Sequence, residues 1–302
     1  MMDLVNIRTF CRTVEEGNLT AAAKALHITK SVASRRIQAL EDNLDVRLLN
    51  RTTRGVNPTD AGALFYERGL KILSDVDDAR QSVKSVSDNL MGQLRITAPR
   101  SFSDLNLQNP LMAFAALHPD LSLDLHLSDQ RVDVIGGGYD LALRIAPGLS
   151  DTSLIAKKLA TINGLIVASP AYLKAHGTPQ SPEELKNHNC VFYANVTASE
   201  QWRFAGPSGL KAVRVKGSIT TNSGVMQLAA AKSGVAIASL PLFFLREALE
   251  NGDVVPILEN WQKPESFLYA LYPERRLLPV KVRALLDFLG DWYADVAQQN
   301  ML

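Results

Sequence analysis

Apolar residues in the first sixty positions recur every three or four places, the period of an amphipathic helix. Strand-like runs such as Leu94-Arg95-Ile96-Thr97 begin only after Gly92. Leu4, Ile7, Phe10, Cys11 and Val14 share one face of a predicted first helix that stops near Gly17. Thr20 suits the N-cap of a short alanine-rich helix over 21–26, and His27-Ile28-Thr29 turns the chain into a third helix over 31–44. In that third helix Val32, Ile37, Leu40 and Leu44 point inward, while Ser31, Ser34, Arg35 and Gln38 lie three or four apart on the opposite face. Two short apolar pieces around the basic turn of 46–58 then predict a small hairpin, a wing carrying Arg51 and Arg54. The segment 59–90 has no proline and opens on Thr59-Asp60, a cap and a first-turn acid, so it predicts one long helix. Along it Phe65, Gly69, Ile72, Val76, Ala79, Val83, Val86 and Leu90 alternate steps of four and three, the rhythm of a coiled-coil seam. Such a seam needs a partner helix, and at 1.5 Å per residue it extends roughly 45 Å; the alternative is that the stripe packs within its own domain.

After Gly92 strands alternate with helical stretches, which argues for α/β lobes with partly parallel sheets. Strands are predicted at 94–98, 121–127, 141–145 and 235–238, and helices at 107–117, 129–135, 183–187 and 223–233. Ser181-Pro182-Glu183-Glu184 reads as a helix start.

The chain has 302 residues, 46% hydrophobic and 21% charged, enough for two or three packed domains and too apolar for disorder. Its net charge of +1 points to no anionic partner in bulk, so any nucleic-acid footprint must be local. It is local: 28–58 holds six basic and three acidic residues. A helix with hydroxyls and guanidinium groups on its outer face, after a short helix and a tight turn, is what a helix-turn-helix needs to enter a major groove. Ser and Thr donate to phosphates or base edges, Arg binds guanine bidentately, and wing arginines reach the backbone or minor groove. No basic n-region with an apolar h-region and no apolar run of about 20 residues appears, which predicts a cytoplasmic protein with no membrane partner. Cys11 and Cys190 are too far apart in sequence for a metal or redox pair and read as buried thiols.

The run 19–41, with Ala21-Ala22-Ala23-Lys24-Ala25-Leu26 and Ser31-Val32-Ala33-Ser34-Arg35-Arg36-Ile37, closely resembles the N-terminal signature of LysR-type transcriptional regulators. So do Leu48-Leu49-Asn50-Arg51-Thr52-Thr53-Arg54 and Thr59-Asp60-Ala61-Gly62, which are similar to the branch with an Arg-Thr-Thr-Arg wing. The likeness continues through Gly92-Gln93-Leu94-Arg95-Ile96-Thr97-Ala98-Pro99, Tyr139-Asp140-Leu141-Ala142-Leu143-Arg144-Ile145 and Ala168-Ser169-Pro170-Ala171-Tyr172-Leu173, and so over nearly the whole chain. It implies an α/β protein with an N-terminal winged helix-turn-helix (1–58), a long linker and dimerisation helix (59–90), and a two-lobed sensor like periplasmic binding proteins (92–302). Lobe 1 would take 92–161 and 267–302, and lobe 2 would take 162–266. The implied partners are double-stranded promoter DNA, a small-molecule effector, further copies of the chain in a homodimer or homotetramer, and RNA polymerase if it activates; no cofactor is implied. Carried over by residue, DNA contacts fall to Ser31, Ser34, Arg35, Arg36 and Gln38 of the recognition helix and to Arg51, Thr53 and Arg54 of the wing. Dimer contacts fall to Phe65, Ile72, Val76, Ala79, Val83, Val86 and Leu90. Two departures stand out. Asn18-Leu19 replaces a frequent Ser-Phe pair, and Asp45 sits where the family usually has glycine, an acid at a helix C-terminus and against its dipole.

Ligands in such sheets bind beyond the C-terminal ends of strands. This nominates Arg100, Ser101 and Phe102 after the first sensor strand, Thr197 in the second lobe, and Thr221 and Asn222 before a helix. Arg100 or Arg144 would supply charge to a carboxylate effector. No nucleophile elbow, P-loop, dinucleotide loop or zinc motif is present, which speaks against an enzyme. Gly136-Gly137-Gly138 lacks the context of a phosphate loop and reads as a helix end, and His126, His188 and Cys190 fit no structural zinc spacing. A transport-type binding protein would share the sensor but lack the basic N-terminal module.

Overall fold

Asp3 starts the first helix by accepting the N–H of Val5 on its side chain at 3.0 Å. The computed structural model describes residues 3–52, 55–83, 90–130, 132–149, 153–196, 200–206, 209–261, 263–273 and 278–298. Helix α1 (Leu4–Glu16) ends at Gly17, whose φ of 59° is the left-handed conformation that glycine adopts without strain. Helix α2 (Leu19–Ala25) is capped by Asn18 and not by Thr20: the Asn18 side chain accepts the N–H groups of Thr20 at 2.7 Å and Ala21 at 3.3 Å. Both residues make good caps, and Asn18 is the one with extended backbone. Helix α3 (Lys30–Leu44) is capped by Thr29 and closes on Asp45 at φ 51°. A short polar side chain tolerates that left-handed position, so the acid serves where glycine is usual. Ile7, Phe10, Cys11, Leu19, Ala33, Ile37 and Leu40 form the core of this head, closed by Leu48 and Leu49. The wing is the antiparallel pair β1 (Leu49–Thr52) and β2 (Gly55–Pro58), in register from Leu49↔Pro58 to Thr52↔Gly55.

Thr59 caps helix α4 (Asp60–Val83), taking the Gly62 N–H at 2.9 Å. A Cβ on Gly62 would lie 1.9 Å from the Leu48 carbonyl oxygen, so the entry of this helix admits only glycine there. The predicted seam divides. Phe65 meets Phe10 edge-on at 5.5 Å, Gly69 lets α4 approach Cys11 and Ile7, and Ile72 joins the same cluster, so the first half packs on α1 of its own chain. Val76 borders a groove with Leu4 and Val5, and Ala79 is exposed. The side chain of Val83 and all of Val86 lie outside the described residues. Leu90 follows the helix and is buried in the sensor core, which corrects its assignment to the seam.

The first sensor sheet contains β3 (Gly92–Ala98), β4 (Leu121–Leu127), β5 (Leu141–Ala146) and β6 (Leu154–Ile162). Between β3 and β4 the helical path begins earlier than predicted: α5 (Arg100–Phe102), a π turn (Ser103–Leu107) and α6 (Gln108–Leu117). The second sheet centres on β7 (Gly164–Ala168), followed by α7 (Pro170–His176), a 3-10 turn at Pro182–Asn187, and β8 (Asn189–Tyr193). A hairpin of β9 (Gln201–Gly206) and β10 (Gly209–Arg214) leads to β11 (Lys216–Thr221) and α8 (Gly224–Lys232). The strand expected at 235–238 falls later, as β12 (Ala238–Pro241), before α9 (Leu242–Glu250) and β13 (Val255–Ile257). The chain then returns to the first sheet through β14 (Ser266–Pro273) and ends its described part in α10 (Val280–Gln298). The first sheet runs β4-β3-β5-β14-β6, with β3 parallel to β4 and β5. In the second, β7 lies between β12 and β13, and β8 and β11 form a separate parallel pair. Among the described residues of 129–135 no helix forms. Asp133 instead accepts the Gly136 N–H at 2.8 Å in a turn that runs into Gly138 at φ 67°, so the three glycines close a turn and end no helix.

Candidate functional site

Residues of α3 spaced by three and four return to one side of the helix, and the structure places Ser31, Arg35 and Gln38 on the exposed side with Ser34 half-buried beside them. The Gln38 amide donates to Asp42 at 2.8 Å, and the hydroxyls of Thr29 and Ser31 are 2.9 Å apart. Arg36 is different. Its position is about 140° round the helix from Ser31, and its guanidinium donates to the Thr9 hydroxyl at 3.5 Å, so it is turned toward α1 and away from the other four. Glu41, absent from the predicted site, holds the helix to the wing. Its carboxylate is 9% exposed and accepts the N–H groups of Leu48 at 2.8 Å and Leu49 at 3.1 Å. Its sequence signal was an acid following Leu40 on the inward-facing turn. The wing is also tied to the end of α1, where the Val56 N–H reaches the Gly17 carbonyl at 2.9 Å. Arg51 stands opposite Val56 in the hairpin; its side chain, Thr53 and Arg54 lie outside the described residues.

A second constellation forms where the two sheets end. Since β3, β4 and β5 are parallel, Arg100, Ser101 and Asp129 follow strand ends on one edge of lobe 1, with Arg144 on β5. Arg144 is half-buried and donates to the Leu143 carbonyl at 2.7 Å and the Thr97 hydroxyl at 3.1 Å. Burial lowers its pKa, against the opposing pull of Asp129 and Tyr139. Burial raises the carboxyl of Asp129, while Arg100 and Arg144 and a hydrogen bond from the Arg100 backbone pull it down. In lobe 2, β8 and β11 end at Tyr193 and Thr221. The Tyr193 phenol is raised by burial, lowered by its hydrogen bond with Asn195, and raised further by the charge of Asp129. The Thr221 hydroxyl accepts the Ser223 N–H at 3.1 Å, Asn222 is exposed, and Thr197 lies outside the described residues. Phe102 is corrected: it is 1% exposed and packs edge-on to Phe243 at 5.5 Å, a core side chain rather than a lining one. Asp129 and Tyr193 were missed, because neither carries a motif and each sits at or just past a strand end.

Two family models divide the chain as the geometry does. The bacterial regulatory helix-turn-helix protein, lysR family, matches residues 4–63, and the LysR substrate binding domain matches 87–294. The chain belongs to the LysR family of transcriptional regulators. This LysR-type regulator is 37% identical to an "Uncharacterized HTH-type transcriptional regulator" of Haemophilus influenzae over 94% of its own length and 99% of the relative's. Among solved structures it resembles the full-length Vibrio cholerae virulence activator AphB, at 30% identity and TM-score 0.61, covering 97% of this chain and 100% of that one. It also resembles CrgA, a LysR-type transcriptional regulator from Neisseria meningitidis, at 29% identity and TM-score 0.60, covering 96% and 98%. The protein is thus a DNA-binding transcriptional regulator with an effector-binding domain, in a family of regulators rather than enzymes. Both thiols of this LysR-type chain are buried, and burial pushes Cys11 and Cys190 up to about 12. Among the described residues no group of three or more His, Cys, Asp or Glu is placed to hold a metal, and no helix is long and apolar enough to cross a membrane.

Proposed function

We propose that the regulator reads promoter DNA through Ser31, Ser34, Arg35 and Gln38 in the major groove, with Arg51, Thr53 and Arg54 of the wing on the flanking backbone or minor groove. Arg36 acts from behind, through α1. The observation that carries this reading is the exposed polar face of α3, fixed against the wing by the buried Glu41 carboxylate. The working units are a DNA-binding domain over 1–58, a linker over 59–90, and a sensor over 92–302 with its two lobes.

Two heads bind one site in a homodimer or homotetramer joined along the distal stripe of α4, from Val76 and Ala79 onward. Leu64, 62% exposed on the same helix, offers further apolar surface for a second chain. A small carboxylate effector binds between Arg100, Ser101 and Arg144 of one lobe and Thr197, Thr221 and Asn222 of the other. The protein works in the cytoplasm and, where it activates, meets RNA polymerase. The test is a gel shift of the full chain on the DNA beside its own gene at rising salt. Affinity should fall steeply and linearly on log–log axes as phosphate contacts release counterions. Replacing Arg35 by Ala should weaken binding about tenfold or more, as expected for a lost base contact. Unchanged affinity in Arg35→Ala would refute the assigned face.

A further inference from the structure

Beside the strand-end cations of lobe 1 stands an acid, Asp129. Asp129 follows β4 by two residues, and its position is fixed: the Ser128 N–H extends the β3–β4 pairing by donating to the Ala98 carbonyl at 2.9 Å, and the Gln130 N–H donates to the Ser128 hydroxyl at 3.2 Å. It lies on the edge formed by the C-terminal ends of the parallel strands β3 and β4. The charged groups acting on Asp129 are Arg100 and Arg144, with Asp104 of the π turn adding a weaker opposing charge. Arg144 is itself held by Leu143 and Thr97 and cannot swing out to follow a ligand without breaking those bonds. A plain anion entering this place meets two guanidinium groups but also a half-buried carboxylate, whose like charge opposes it and which it cannot hydrogen-bond.

Resting on the reading of this cleft as the effector site, we infer that its ligand is a small carboxylate carrying a hydrogen-bond donor beside the acid, an amino or hydroxyl group, and that Asp129 selects it. The ligand carboxylate sits with Arg100 and Arg144, and its donor takes Asp129. A site that hydrogen-bonds a ligand's donor rejects the analogue lacking it, because its own buried acceptor is then left unpaired. The preference for the donor-bearing member of a matched pair should be about tenfold or more.

The full chain is tested by thermal shift against two matched sets: propionate, lactate and alanine, then phenylacetate, mandelate and 2-phenylglycine. In the wild type the hydroxy or amino member should raise the melting temperature well beyond its plain parent. Asp129→Asn should close that gap, and Arg100→Gln should weaken all members alike. Should the Asn variant fail to fold, Asp129→Ala, which removes the acid without adding an amide, carries the same comparison. Plain acids stabilising the wild type as well as their donor-bearing partners, or a gap that survives in both Asp129 variants, overturns the assignment of Asp129. Silence from every probe on wild type and variants alike overturns the carboxylate reading of the cleft beneath it, a distinguishable failure.

Discussion

Replacing Glu41 by Ala tests how the reading helix is joined to the wing. The carboxylate is nearly enclosed and accepts two backbone N–H groups, from Leu48 and Leu49, where the chain leaves α3 for the hairpin. Alanine leaves both donors buried without a partner at about 1–3 kcal/mol each, so the head should lose about 2–6 kcal/mol. Glutamine keeps an acceptor but loses the charge assistance that roughly doubles such bonds, and should fall between alanine and wild type. Tryptophan fluorescence cannot report this, because Trp202, Trp261 and Trp292 all lie in the sensor. Hydrogen exchange read by mass spectrometry on peptides spanning 37–50 can. At 1.4 kcal/mol per factor of ten, protection should drop at least about thirtyfold in Glu41→Ala. Operator affinity should fall with it, since the wing is no longer registered to the recognition helix. Exchange within about threefold of wild type would show that the two bonds do not hold the wing and would remove the structural basis for reading hairpin and helix as one unit.

Arg36→Ala should keep the operator's sequence preference, because the side chain points at Thr9; a changed preference in a binding-site selection would return Arg36 to the DNA face. Cys11 and Cys190 should resist a disulfide reagent at pH 8 until the chain unfolds, since their folded pKa values of about 12 keep them as thiols; prompt labelling of two thiols in native protein contradicts their burial. The same shift has a pH consequence. From the ordinary value of 9.0 up to about 12 the unfolded chain gives up the thiol protons and the folded one keeps them, so urea midpoints should fall as pH rises through that window. Lys263, whose ammonium donates to Ser239 at the return toward lobe 1, is lowered by burial to about 8 from 10.5. Its charged form is therefore destabilising at pH 7, and Lys263→Met should raise the melting temperature there and lose that advantage near pH 10.5; a lower melting temperature at pH 7 would refute the sign.

Much of the architecture was legible because short-range patterns fix it. The period of α1, the cap at Thr59, the helix start near Ser223 and the β-α alternation each depend on neighbours within one or two turns. What failed depends on partners distant in sequence. The stripe from Phe65 to Ile72 announces a buried face but not its cover, and α1 covers it as well as a second chain would. Leu90 continues the stripe by spacing alone, yet the chain has left the helix and entered the core of lobe 1. Phe102 and Ser101 are adjacent after one strand, and only the helical path that starts at Arg100 sends the ring inward against Phe243. Asp129 carried no motif. Its meaning arises from Arg100 and Arg144, contributed by two other stretches of chain.

Helix α4 is a wall shared by the head and lobe 1. One side holds Phe10, Ile7 and Cys11 of α1, and on the other the Ser74 hydroxyl receives the Lys281 ammonium at 3.1 Å, from a side chain only 1% exposed at the start of α10. Further along α10, the Tyr293 hydroxyl donates to the Asn106 carbonyl at 3.2 Å, inside the π turn that follows Arg100. Crevice, π turn, α10, α4 and α1 are therefore joined by direct contacts that all belong to lobe 1 or the head. Lobe 2 touches the same path through Phe243, which packs on Phe102 beside the π turn, so a change at the cleft has a route of contacts to α4 through α10. The π turn is the weak place in that packing, because the Asn106 side-chain amide is buried there with no hydrogen-bond partner among the described residues. A buried donor left without an acceptor costs about 1–3 kcal/mol, and the turn carries that penalty in this arrangement.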